Sequence, residues 1–294
     1  MYLLIYTNSY FCLKPHNDMI LGIDIGGTNI SFGLVEDGQV VFSKTVKSFG
    51  NDFTLEQTID YLKTNIDAVI TPEVSAIGIG VPSVVDVRTG TVYDTANIPS
   101  WKEVPLQSIF EKLYGCPVHV NNDSNCYALG VYSIFAGKSK PDSLVAMTLG
   151  TGVGIGVVVD GKLFCGANCG AGELSCLPYR DGTLEDYTGK CFFHSRGFDP
   201  RALAEEARGG NAEALAVFKE YGVHIGYAVS VILLAYDPEV IVLGGGVANN
   251  YPLFRESMFD YLKKHFPYRK TMENLVIEIA TDNFIPVIGA ASLI

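Results

Sequence analysis

Positive charge is scarce in this chain of 294 residues: 21 Lys and Arg stand against 32 Asp and Glu, for a formal net charge of −11. No run of cations offsets that balance locally, which argues against a nucleic-acid partner. The same deficit constrains any phosphorylated ligand, which local backbone donors and a divalent cation, expected to be Mg2+, have to hold against the field of the protein. Paired cysteines are also missing. The seven present (Cys12, Cys116, Cys126, Cys165, Cys169, Cys176 and Cys191) are odd in number and contain no C-x-x-C, so free thiols in a reducing cytoplasm are expected. Near the start, Tyr2 to Tyr6 is apolar but short, and the first cation is Lys14; neither a membrane span nor a signal peptide is expected there. Residues 1–18, ahead of Met19, read either as a poorly ordered extension or as an upstream mis-called start. Two phosphate-loop signatures are absent as well. No complete G-x-G-x-x-G occurs, and Gly137-Lys138-Ser139 has Tyr132 where the first glycine of a Walker loop belongs.

What the chain does have is glycine in two matched places. Ile23-Asp24-Ile25-Gly26-Gly27-Thr28-Asn29 and Thr148-Leu149-Gly150-Thr151-Gly152-Val153-Gly154 each sit between apolar runs. After the first, Ile30, Phe32 and Leu34 alternate with Ser31, Gly33 and Val35 up to Asp37-Gly38; after the second, Val153 to Val159 run to Asp160-Gly161. Both patterns predict strand, turn, strand, then a type I′ hairpin. Glycine lets backbone N–H groups approach phosphate oxygens, and the Thr28 and Thr151 hydroxyls add donors. A single turn of this kind reads equally well as an ordinary glycine-tipped hairpin; two matched copies point to a two-lobed phosphate clamp.

Periodicity predicts strands at 20–25, 30–36, 39–46, 74–81 and 117–121, with helices near 54–70 and 105–113. The strand pattern returns at 144–165, followed by helices near 200–208, 212–236 and 252–265 and strands at 239–243 and 275–279. Leu215, Phe218, Gly222, Ile225, Gly226, Val229 and Leu233 recur at three- and four-residue spacing, so the long helix is expected to be a core element. With no Pro/Ser-rich linker between the halves, a shared cleft between two lobes is expected.

Two further segments complete an ordered set: Asn121-Asn122-Asp123 directly after an apolar strand, and Gly244-Gly245-Gly246 at the end of Val240 to Leu243. In order, these segments resemble the ROK family of the hexokinase–actin ATPase superfamily over nearly all of residues 20–291. The resemblance implies an α/β, two-lobed actin-like ATPase (ribonuclease H-like) fold with a small domain at 19–121 and a large one at 122–294, the last residues packing back on the small domain. It also implies ATP and Mg2+. Asp24, Gly26, Gly27 and Thr28 match the first phosphate segment, with Asp24 near the metal through water; Gly150, Thr151 and Gly152 match the second, and Gly244, Gly245 and Gly246 the segment against adenosine. Asp123 falls where such kinases keep the general base, although local sequence allows it equally to be a helix N-cap. Asn97, Asn122, Asp123, Glu173 and Glu185 are the implied sugar contacts.

The chain departs from the family pattern in one stretch. Where a His usually follows Glu173 by three residues stands Cys176, and only Pro178 to Thr183 separates Cys176-Leu177 from Leu184-Glu185. The family's zinc loop therefore reads as deleted. One thiol does not supply four ligands, so no zinc is expected, and the loop has to be ordered by packing of residues such as Pro178, Tyr179 and Tyr187; Cys165, Cys169 and Cys191 lie nearby and leave a novel site open, with buried free thiols the preferred reading. The implied activity is ATP-dependent phosphorylation of a hexose or N-acetylhexosamine at the 6-hydroxyl, glucokinase-like; glucose leads, and allose, fructose, mannose and N-acetylmannosamine stay open. The alternative within the family is a sugar-sensing transcriptional regulator, whose winged helix-turn-helix eighteen leading residues do not accommodate. A chaperone-type ATPase would lack the sugar-contacting set. The family commonly forms dimers, so a homodimer is expected, with no nucleic acid or membrane as partner.

Overall fold

The computed structural model describes residues 19–95, 97–134 and 140–294. The expected extension, 1–18, and Gly137-Lys138-Ser139 lie outside the described residues. The first half runs β1 (Met19–Ile25), β2 (Asn29–Glu36), β3 (Gln39–Lys47), α1 (Leu55–Asp67), β4 (Val74–Val81), β5 (Val84–Asp86), β6 (Thr91–Tyr93), β7 (Glu103–Pro105), α2 (Leu106–Tyr114), β8 (Val118–Asn122) and α3 (Asp123–Ile134). The second runs β9 (Leu144–Leu149), β10 (Val153–Val159), β11 (Lys162–Leu163), a hairpin of β12 (Pro178–Tyr179) and β13 (Gly182–Thr183), then helices α4 (Leu184–Thr188), α5 (Cys191–His194), α6 (Pro200–Arg208) and α7 (Ala212–Tyr236). It closes with β14 (Val240–Gly244), α8 (Tyr251–His265), α9 (Arg269–Asn274), β15 (Val276–Ile279) and α10 (Ile285–Ala291).

Two five-stranded sheets have the same topology, β3-β2-β1-β4-β8 and β11-β10-β9-β14-β15. In each, two antiparallel pairs are followed by two parallel ones. Register follows from the alternating pattern: Ile23 faces Phe32 and Met147 faces Ile155 across the antiparallel pairs, so the apolar sets stay on buried faces. The hairpin tips carry positive φ at both central residues, 51° and 74° at Asp37-Gly38 and 52° and 69° at Asp160-Gly161, as a type I′ turn demands.

Helices supply the rest of each core. The α1 start is fixed by a capping box, Thr54 and Gln57 exchanging side-chain and backbone bonds. Thr58, inside that helix, accepts the Nε1–H of the fully buried Trp101 at 2.7 Å. In the second half α7 is central, with Phe218, Ile225 and Val229 fully buried beside Phe254 and Met258 of α8. Leu215 departs from expectation: it is exposed, and Ala214 takes the inward place in the first turn. Among the described residues α7 is the one helix long and apolar enough to cross a membrane; here its apolar face is spent on the core. The short α10 crosses back to the first sheet. Its backbone lies so close that a Cβ on Gly78 of β4 would stand 1.8 Å from the Ala290 carbonyl oxygen, and one on Gly22 of β1 would stand 2.2 Å from that of Val287.

Candidate active site

The two glycine turns occupy equivalent positions, each between the central strand of its sheet and the antiparallel neighbour. They open onto one cleft of about 780 Å3, lined by Gly27 and Thr28 from one side and Gly150, Thr151 and Gly152 from the other. The cleft is also lined by Asn97, Asn122, Asp123, Glu173 and Glu185. Six segments distant in sequence thus converge. A second depression of equal volume, between α8 and α9, mixes Arg255, Asp260, Lys263 and Glu273 and has no glycine turn.

Asp123 stands where β8 ends and α3 begins. Its Oδ1 accepts the Ser124 N–H at 2.7 Å and the Ser124 hydroxyl at 3.2 Å. The N-cap, which local sequence offered to Asp123, belongs to Asn122: its Oδ1 accepts the N–H groups of Ser124 at 2.9 Å and Asn125 at 3.2 Å. Asn122 Nδ2 also donates to the Ser83 carbonyl at 3.3 Å, so much of that amide is committed to holding the strand end. Burial raises the Asp123 carboxyl to about 6, with the charge of Glu173 adding to the rise and the Ser124 bonds opposing it. Asp24, on β1 behind the first turn, is raised to about 7 by burial and by Asp123.

Among the described residues, no Lys or Arg lines the cleft. A phosphate chain entering it therefore brings or meets a cation. Asp24 and Asp123 offer hard oxygen donors whose ionised forms lack a compensating charge, a set that suits Mg2+. Among the described residues, no three His, Cys, Asp or Glu side chains converge as a ready-made metal cage.

Asn97 is exposed, its amide against the first turn: a Cβ on Gly27 would stand 3.3 Å from Asn97 Nδ2. Glu173 begins a 3-10 turn, Glu173–Cys176, and its Oε2 accepts the Cys176 thiol at 3.7 Å. Glu185, expected only as a sugar contact, has a second attachment, because its Oε2 accepts the Val153 N–H at 2.8 Å and thereby fastens the second turn to α4. The Lys190 N–H donates to the Gly150 carbonyl at 2.9 Å and secures the same turn. Asp24, Gly26, Gly244, Gly245 and Gly246 do not line the cleft. The triple glycine adjoins the second turn at the end of β14, where Gly244 pairs with Thr148 and the Val247 N–H donates to the Leu149 carbonyl at 3.0 Å. Ser83 and Ser124 line the cleft without having been foreseen, and Thr148 lines it from the start of the second glycine segment; for Ser124 the available signal is its adjacency to Asp123.

The stretch between Cys176 and Glu185 is the β12–β13 hairpin, with Pro178 paired to Thr183 and Tyr179 to Gly182. Tyr179 stacks on Tyr227 of α7 at 4.4 Å between centroids and meets Tyr187 edge-on at 5.2 Å. Its hydroxyl lies 3.1 Å from Nδ1 of the buried His224. Tyr179 and Tyr187 thus pack this stretch against α7 and α4.

Comparison with known proteins agrees with this geometry. The ROK family model matches residues 20–191 and 181–294. The chain is 28% identical to a glucokinase from Thermotoga maritima, over 94% of this chain and 96% of that protein. It is 32% identical to an N-acetyl-D-glucosamine kinase from Vibrio cholerae, over 84% and 90%. Among solved structures, a ROK family glucokinase from Streptomyces griseus in complex with glucose and AMPPNP superposes with a TM-score of 0.78 at 25% identity, covering 94% of this chain and 98% of that one. The paired sheets are those of the two-lobed, actin-like ATPase fold.

Proposed function

The chain belongs to the ROK family, and within it we propose an ATP-dependent kinase that phosphorylates a hexose or N-acetylhexosamine at the 6-hydroxyl, glucokinase-like. It is a sugar kinase, a phosphotransferase with an alcohol acceptor. One observation carries the site reading: the Asp123 carboxylate, raised to about 6, opens into the cleft that both glycine turns share.

Phosphoryl transfer asks the protein chiefly for positioning and charge stabilisation. In this reading the N–H groups of Gly27, Thr28, Thr151 and Gly152 receive phosphate oxygens, while those of Gly26 and Gly150 close their turns on the Asn29 and Gly152 carbonyls at 3.0 Å each, and Gly244, Gly245 and Gly246 flank the adenosine. Asn97, Asn122, Glu173 and Glu185 pair with sugar hydroxyls, fixing the ring by groups that reject a misplaced or missing hydroxyl. Asp123 accepts the proton of the attacking hydroxyl; a carboxylate raised to about 6 is ionised at neutral pH yet more basic than an ordinary one. Asp24 holds Mg2+ through water. When bound, that ion neutralises the charge building on the transferred group. The hairpin packing supports a sugar loop without zinc. A cytoplasmic homodimer belongs to the same reading, and light scattering checks the dimer.

The test is ADP release with Mg·ATP across a panel of hexoses and N-acetylhexosamines, glucose and N-acetylglucosamine first. Turnover of one or more of them with a 6-phosphate product is expected. Sugar binding by calorimetry with no turnover would instead favour a sensing role.

A further inference from the structure

Cys165 and Cys169 bound a tight loop after β11. The Ala171 N–H donates to the Cys165 carbonyl at 3.1 Å, and Cys169 lies in the left-handed region with φ 58°, a conformation that a non-glycine residue adopts at a cost. That conformation accompanies an inward side chain. Although the loop leaves the second sheet, Cys169 is buried in the apolar core of the first, among residues such as Leu21, Val81 and Val85. Cys165 is only partly buried.

Both sulfurs converge on the same two amides. Asn125 Nδ2 donates to Cys165 Sγ at 3.6 Å and to Cys169 Sγ at 3.4 Å. Asn121 Nδ2 donates to Cys165 Sγ at 3.6 Å, and the Cys169 thiol lies 3.4 Å from Asn121 Oδ1. Sharing these amides sets the two sulfurs side by side; Cys169 and burial hold Cys165 as a thiol, whereas Cys165 and the surrounding amides draw Cys169 toward the thiolate. Cys126, close by, is fully buried and held as a thiol. The amides lead directly to the reacting carboxylate. Asn121 Oδ1 accepts the Asn125 amide at 3.0 Å and the Asn122 N–H at 2.8 Å, and Asn122 caps the helix that begins at Asp123. Asn125 Oδ1 is buried with no hydrogen-bond partner among the described residues, so this network has little to spare.

We propose that Cys165 and Cys169 form a redox modification site, which a hydroperoxide converts to a disulfide, and that the bond slows the kinase by drawing both sulfurs off the Asn121 and Asn125 amides. Cys169, as thiolate, attacks one oxygen of hydrogen peroxide; the O–O bond breaks, and the departing hydroxide takes up the proton that Cys169 released. Cys165 then attacks the sulfenic sulfur. The S–O bond breaks, the S–S bond forms, and the second hydroxide leaves with the Cys165 proton as water. Two electrons pass from the dithiol to the peroxide, which becomes two waters.

The coupling to turnover rests on Asp123 being the base, whereas the bond itself does not. Full-length protein is treated with hydrogen peroxide, alkylated and digested for peptide mass, with kcat for the preferred sugar measured before treatment, after it and after dithiothreitol. A Cys165–Cys169 linkage is expected, with a fall in kcat of roughly 10-fold or more that dithiothreitol reverses. Cys165→Ser should lose that reversible response, and Cys191→Ser, at an exposed position, should keep it. Three results would overturn the proposal: both thiols alkylating fully at a dose that oxidises Cys191, linkage with kcat unchanged, or the same reversible loss in Cys165→Ser. Mass mapping needs no sugar, so a protein that turns over none would refute the kinase reading while the thiol site is still judged from its linkage.

Discussion

The Asp123 carboxylate is anchored through a single oxygen, Oδ1, which receives both bonds from Ser124. An asparagine can keep that oxygen as an acceptor while losing basicity. Asp123→Asn is therefore expected to fold normally by circular dichroism and to lower kcat by at least ~10²-fold, the scale of a lost general base. Near-normal turnover in the folded variant would remove Asp123 from the role. Glu185 makes a different prediction, because its carboxylate holds the second turn through Val153 N–H. Glu185→Ala should raise KM for ATP by roughly 10-fold or more, the worth of a hydrogen bond to a charged group, in initial-rate kinetics with ATP varied at saturating sugar. A rise confined to the sugar KM would mean that the bond to the turn carries no weight. At this scale the chain could be read only in part. Asn122 and Asp123 are both good N-caps, and which side chain turns back to the helix is decided by the strand end that carries them. Nothing near Glu185 in sequence points to Val153, since the two meet only after the second half has folded.

The β12–β13 hairpin stands where a zinc loop was expected to be missing, and Tyr179 and Tyr187 pin it to α7 and α4. A zinc-selective chelator is expected to leave the melting temperature unchanged, with no stoichiometric zinc by elemental analysis, because withdrawing a structural zinc would withdraw folding free energy. One tightly bound zinc, lost together with stability, would refute this. The anchor beneath the hairpin responds to acid instead. Burial lowers His224 to about 4, Arg180 and Arg196 push the same way, and Glu220, 3.6 Å from Nε2, opposes them. An unfolded histidine takes up a proton below about 6.5, so between pH 6.5 and 4 the unfolded state binds more protons and stability falls as pH falls. The loss reaches at most about 3 kcal/mol. Thermal melts at pH 7 and 5 should differ more in the wild type than in His224→Gln. Long elements were legible because their periods are long: the strands of both hairpins and helices α1, α6, α7 and α8 fall within a few residues of expectation. The three-residue strands β5, β6 and β7 and the seven-residue α10 are too short to display a period, and tertiary contact alone defines them.

Two sheets of one topology, each bearing a glycine turn at the same place, make the molecule a pair of half-sites that neither half completes by itself. The repeat was legible as a repeat of turns; the equal strand order, with parallel strands drawn from remote segments, was not, since strand pairing across long insertions leaves no local mark. The return of α10 to β1 and β4 adds an asymmetry to that pair. Ribosomes deliver the first sheet early, but the helix that seats on Gly22 and Gly78 is made after every other described element. The first half must then wait, with one face uncovered, for the entire second half to be synthesised, and cotranslational folding should complete the second core before the first. Nascent chains arrested before Phe284 are expected to be cut by protease within residues 19–122, whereas chains extended through Ile294 should resist. A final helix of seven residues would thus set the moment at which the earliest part of the protein becomes safe from degradation.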